Sequence, residues 1–204
     1  MSLYRQVTSK PWEYQRPVSG SGPESAFEKD SEKIALTLFL VVVCVIFSLL
    51  TVTYYLRMDL GDWVPLADPV LLWWNTAMLL LGSVALQRAT SLARSERMLE
   101  ARSAFIAGGA LAALFVAGQC YVWVQLDAGD LGVASNPSSA FFYLLTGMHA
   151  VHLLGGLWVW SRSSFRMFSK LEPADARLSI ELCTTYWHFL LLLWVLLFGV
   201  LLST

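Results

Sequence analysis

Charged side chains make up only 14% of the 204 residues, while 56% are hydrophobic. Soluble domains run near 45–50% apolar and about 25% charged, so a water-surrounded fold is excluded. Charge is absent above all from five long apolar blocks, at about 34–56, 69–87, 104–124, 141–160 and 181–202. They contain no Lys, Arg or Asp, and Glu181, at the start of the last, is their one acid. Without a buried carboxylate relay, autonomous proton or sodium pumping is excluded. Cysteine is equally sparse. Cys44, Cys120 and Cys183 lie in or at the edge of apolar blocks and behave as small hydrophobes, which excludes a disulfide framework. No short apolar segment with a small-residue cleavage site precedes Ile34, so no cleaved signal peptide is expected.

What is present is the pattern of an all-α polytopic membrane bundle. Each block has about the 20 residues that a helix needs to cross ~30 Å of hydrocarbon, which predicts five transmembrane helices within 34–204. Residues 1–33, with Pro11, Pro17, Pro23 and the run SGSGP, read as a polar extended arm. Basic residues set the orientation. Of the fourteen Lys and Arg, all but Arg57 fall in the arm, in the loop around Arg88–Arg102 or in the loop around Arg162–Arg177. That asymmetry predicts a cytoplasmic N-terminus and an outside C-terminus. The opposite loops carry Asp59, Asp62, Asp68, Asp127 and Asp130. This acidic face has the charge to attract a basic carrier such as a cytochrome c, although acids are also simply tolerated outside. No nucleic-acid partner is expected.

Membrane helices associate through close backbone approach and a few polar side chains. Ala104, Gly108 and Ala112 repeat at four-residue spacing, and Gly147, Gly155 and Gly156 follow in the fourth block, so both sets predict tight helix interfaces. The buried polar candidates are Asn75, Thr76, Gln119, Thr146, His149, His152, Thr184, Thr185 and His188. In FYLLTGMHAVHLLGG, His149 and His152 share one helix face. Either these histidines hydrogen-bond between helices, or one of them joins His188 as the axial pair of a b-type haem electron carrier. A transporter or an unrelated membrane scaffold is a further reading, although no internal repeat is apparent between the halves.

The same stretch, with its T-G-x-H-x-x-H and double glycine, resembles subunit III of the haem–copper cytochrome c oxidases. Tyr186-Trp187-His188-Phe189 followed by Trp194 is similar to that family's last helix. Trp63 and Pro65, Asn75-Thr76, Gln87, and Gly118-Gln119 with Trp123 also fall where its pattern places them, so the likeness covers about residues 34–202. The resemblance implies the short five-helix bacterial form, a multi-pass protein of the cell inner membrane. It further implies an accessory, non-catalytic subunit without a redox centre, holding lipid and packed against catalytic subunit I, with haem and copper in partner subunits. A subunit III-like partner of a nitric oxide reductase or another respiratory assembly fits as well.

Three departures bear on mechanism. Family members usually carry a glutamate in the first of these helices, a glutamate before the tryptophan of the third and an aspartate in the last. Here those regions read LVVVCVIF, Val122 and Leu191. Each loss removes a carboxyl that would cost ~2.5–3.5 kcal/mol to insert charged. The expected role is therefore scaffold and lipid retention rather than proton transfer through acids of this chain.

Overall fold

The computed structural model describes residues 23–65, 70–168 and 173–203. Five helices follow in order: α1 Pro23–Met58, α2 Leu71–Arg94, α3 Met98–Ala128, α4 Pro137–Phe168 and α5 Pro173–Leu202. Proline opens α1, α4 and α5, where its fixed φ suits the first helical position and its missing N–H costs nothing. Asn136 caps α4, with Oδ1 accepting from the Ser139 N–H at 2.9 Å.

Every helix outlasts the apolar block that announced it, because polar residues continue the helix past the lipid-matched stretch. The largest difference is at α1, which begins at Pro23 inside the segment expected to be an extended arm. The rest of that expected arm, residues 1–22, lies outside the described residues. By contacts, residues up to Ala35 group separately from Leu36–Thr204.

Among the described residues, four helices are long and apolar enough to cross a membrane: Ser31–Met58, Met98–Ala128, Pro137–Met167 and Ala176–Leu202. With them the chain is a membrane protein. The expected fifth span, α2, is a full helix but is diluted by Asn75, Gln87, Arg88, Thr90 and Arg94.

The α2–α3 turn is tight. Arg97 N–H bonds Leu92 O at 3.0 Å and Glu96 N–H bonds Ala93 O at 3.3 Å. Glu96 takes the left-handed conformation at φ 62°. This is a Schellman-type stop with glutamate in the place that favours glycine. The end of α3 repeats it, with Leu131 N–H on Leu126 O at 3.0 Å and Asp130 at φ 59°, one residue beyond Gly129.

The turn folds α3 back along α2, where glycine permits close approach. A Cβ at Gly108 would stand 2.6 Å from Leu86 Cγ and 3.2 Å from Gly82 O. Helix α5 packs on α2 and α4, and α4 on α3. Phe105, Phe115, Leu145, Leu153, Leu190 and Trp194 are fully buried between them. Among the described side chains of α1, Val43, Phe47 and Tyr54 join the buried core. The predicted glycine interfaces hold in part: Gly108 touches α2, and Gly156 lies under the Tyr186 ring. Gly147 and Gly155 face open space, which corrects their reading as packing glycines.

Candidate functional site

The polar side chains that the apolar blocks could not avoid become the contacts between helices. The longest series joins α2 to α5. At one end Arg94 Nε donates to Glu181 Oε1 at 3.0 Å, with Arg177 Nε 3.5 Å from the same oxygen. Further along, Thr90 Oγ1 donates to Thr184 Oγ1 at 2.9 Å, beside Leu86 O. Next, His188 spans two α2 residues, with Nδ1 2.5 Å from Ser83 Oγ and Nε2 2.9 Å from Gln87 Oε1. A neutral ring protonated on Nε2 satisfies both contacts. Finally, Trp194 Nε1 donates to Thr76 Oγ1 at 2.9 Å. Ser83, Gln87, Thr90 and Arg94 follow one another at helical spacing, so they form a stripe facing Glu181, Thr184 and His188.

The other seams are anchored by aromatic donors. Trp123 Nε1 donates to Thr146 Oγ1 at 3.1 Å and Tyr143 Oη to Trp123 O at 3.0 Å, joining α3 to α4. Trp160 Nε1 donates to Phe105 O at 2.9 Å, its ring lying where a Cβ on Gly109 would stand. Tyr186 Oη donates to His152 O at 2.8 Å, joining α5 to α4. Between α2 and α3, Asn75 Nδ2 reaches Gln119 Oε1 only at 3.4 Å. Trp63 meets Tyr54 edge-on, with centroids 5.0 Å apart. Trp187 is buried on α5 beside the α2–α3 contact.

The three histidines do not converge. His149 is fully buried, edge-on to Phe115 at 6.1 Å and 5.2 Å from the Trp194 ring. Neither of its nitrogens has a hydrogen-bond partner among the described residues, nor does Gln119 Nε2. This corrects the expectation that His149 bridges helices through hydrogen bonds: its neighbours at that depth are aromatic rings. His152 turns its Nδ1 to Met148 O of its own helix at 2.8 Å and meets Phe39 and Phe47 of α1. It ties helices through its carbonyl and ring rather than through an imidazole bridge. His188 faces α2, with its two ring nitrogens against Ser83 and Gln87. No group of three His, Cys, Asp or Glu side chains that could hold a metal ion occurs among the described residues.

Beside the seam, a groove of about 500 Å³ opens between α2 and α3. Leu81, Val84, Ala107 and Leu111 form its walls, and Arg88 and Ser103 stand at its polar end. Glu100 pairs with Arg97 at 2.7 Å. Arg88 has no ion-pair partner among the described residues. On the acidic loop, Arg57 Nη1 donates to Asp62 Oδ1 at 2.6 Å. The guanidinium holds the Asp62 carboxyl below the usual carboxylate range.

Sequence reasoning singled out Asn75, Thr76, Gln119, Thr146, Tyr186 and His188, all of which sit at helix contacts. Ser83, Thr90 and Trp160 were missed. The first two were readable from their spacing with Gln87 and Arg94. Trp160 gave no such signal.

This chain is similar over most of its length to known proteins. The family model described as "Cytochrome c oxidase subunit III" matches residues 19–203. A probable cytochrome c oxidase subunit 3 of Nocardia farcinica is 31% identical over 148 residues, covering 68% of this chain and 70% of the relative. A cytochrome c oxidase subunit 3 of Synechocystis sp. is 26% identical over 179 residues, covering 83% and 74%.

Proposed function

Because this chain belongs to the cytochrome c oxidase subunit III family, and so associates with other oxidase subunits such as subunit I in electron transport, we propose that it acts there as a cofactor-free accessory subunit. Its work is to stabilise the catalytic subunit and to hold lipid. The observation that carries this reading is the use of its polar groups: Thr90, Thr184, His188, Tyr186, Trp123, Trp160 and Trp194 are engaged in helix-to-helix hydrogen bonds. Such groups secure a scaffold. Burial of Val122 and the apolar Leu191 support a role that does not pass protons through acids of this chain.

The α2–α3 groove, apolar along its walls with Arg88 at its end, suits a lipid chain and an anionic headgroup. All five helices cross the bacterial inner membrane, with the N-terminus in the cytoplasm and the C-terminus outside. On the outer side Asp59, Asp127 and Asp130 favour the approach of a basic cytochrome c. Asp68, the remaining acid of that face, lies outside the described residues.

The test is deletion of this subunit followed by purification of the oxidase. Haem content and initial rate are expected to stay unchanged, while activity decays in fewer turnovers. Loss of haem from the complex, or a Soret band in the isolated chain, would overturn the accessory reading.

A further inference from the structure

At the end of the α3–α4 seam where α3 begins and α4 ends, two buried polar atoms have no hydrogen-bond partner among the described residues: Arg102 Nε and Ser164 Oγ. They face each other. Arg102 lies seven residues, about two turns, before Gly109, whose bare backbone receives the Trp160 ring of α4. Ser164 lies eighteen residues, about five turns, after Thr146, which accepts from Trp123 of α3. Both residues therefore stand on the faces that join the two helices. Their levels agree as well. Trp160 Nε1 donates to Phe105 O, and the helices run antiparallel, so three residues back from Phe105 and four on from Trp160 lead to the same height.

A helical serine commonly turns its hydroxyl onto a carbonyl of the preceding turn, as Ser161 does onto Trp158 O. Ser164 does not. The Arg102 side chain has neither an ion pair nor a hydrogen bond among the described residues, although its Nε is shielded from solvent. A donor buried without an acceptor is costly, and more so on a charged group. One oxyanion accepting from both Arg102 Nε and Ser164 Oγ satisfies the two atoms at once and balances the guanidinium charge. The surface beside them is apolar: Leu99 and Ile106 flank Arg102 on α3, and Leu154, Trp158 and Phe165 stand exposed on α4. An anion with hydrocarbon alongside it is the phosphate of a lipid.

We propose that Arg102 and Ser164 form a phosphate site at this end of the α3–α4 seam, occupied by an anionic phospholipid whose chains lie along Ile106 and Trp158. This rests on the lipid-holding reading and adds a headgroup site on the opposite flank of α3 from the groove at Arg88.

Native mass spectrometry of the subunit released from the purified oxidase, which counts the phospholipids retained on it, tests the site. Arg102→Gln should lose one anionic phospholipid, and Ser164→Ala should lower the bound-to-free ratio of the same one about fivefold, the equivalent of one hydrogen bond. Arg166→Gln, a change at an exposed arginine of α4, should lose none. Equal loss in Arg102→Gln and Arg166→Gln would mean that charge alone retains the lipid, and would overturn the site. The second arm adds inorganic phosphate to delipidated subunit and follows its melting temperature. A rise with phosphate that Arg102→Gln abolishes, with the lipid count unchanged, would keep the anion site and overturn the lipid as its occupant. An unchanged lipid count with no response to phosphate would overturn both. Wild-type subunit that retains no phospholipid at all would overturn the lipid-holding reading itself, whereas retention that Arg102→Gln does not alter sinks only this lipid site.

Discussion

At the scale of single residues, His149 and His188 share a chemistry and differ in surroundings, so their replacement should have opposite effects. His149 is buried against Phe115 and Trp194 with both nitrogens unpartnered. An unsatisfied buried polar group is a cost, and an apolar side chain of similar size removes it. His149→Leu is expected to leave unchanged or raise the temperature at which the detergent-solubilised subunit unfolds. His188→Leu breaks contacts to Ser83 and Gln87 and should lower it, by ~0.6 kcal/mol per bond and no more than ~1.7 each. The order of the two variants in a melting experiment decides the matter. Glu96 offers a third case. Its φ of 62° costs an ordinary residue about 1–2 kcal/mol, so Glu96→Gly should stabilise the α2–α3 turn by up to about 1 kcal/mol after the flexibility of glycine in the unfolded chain is counted.

At the scale of helices, much of the architecture was legible in the sequence because lipid imposes a minimum apolar length. The five blocks gave five helices, but not their ends, since helices keep their hydrogen bonding in the polar layer where composition no longer distinguishes them. The α2–α5 seam was legible in principle from the spacing of Ser83, Gln87, Thr90 and Arg94. The small residues misled in part. Gly147 and Gly155 have the look of packing positions and touch nothing, whereas Gly109 makes room for Trp160. Which glycine meets a partner depends on how each helix is rotated, and a local pattern does not carry that. Gly109→Ala should therefore displace the Trp160 indole from Phe105 O and cost about 1–3 kcal/mol by overpacking, while Gly155→Ala costs little. Comparison of their unfolding midpoints checks both. The acidic loop has its own pH dependence. Arg57 lowers the folded-state pKa of Asp62, so the pair stabilises the loop above the unfolded value of ~3.9 and is lost as pH falls through the folded value. Amide exchange at Leu60 and Trp63 should be faster in Asp62→Asn at neutral pH, with the difference fading in acid.

For the whole molecule, the number of membrane crossings decides on which side each end lies. Four helices qualify by length and composition, and four crossings would return the C-terminus to the side of the N-terminus. The packing of α2 argues for five. Helix α3 is one of the four, and α2 runs antiparallel along it. They meet from the Ser95–Arg97 turn, through Leu86 on Gly108, to Asn75 against Gly118 and Gln119. A partner that keeps contact over that length is expected to traverse the same slab of lipid. From Leu71 to Gln87 it carries an uncharged stretch near the lower limit for a spanning helix. Five crossings also keep the loops around Arg88–Arg102 and Arg162–Arg177 on one side, as the distribution of basic residues requires. Reporters fused after Thr204 are expected to show alkaline phosphatase activity, which needs the outside, and to lack fluorescence from a protein that matures only in the cytoplasm. A reporter at residue 1 should behave in the opposite way. If both ends report the cytoplasm, α2 does not cross.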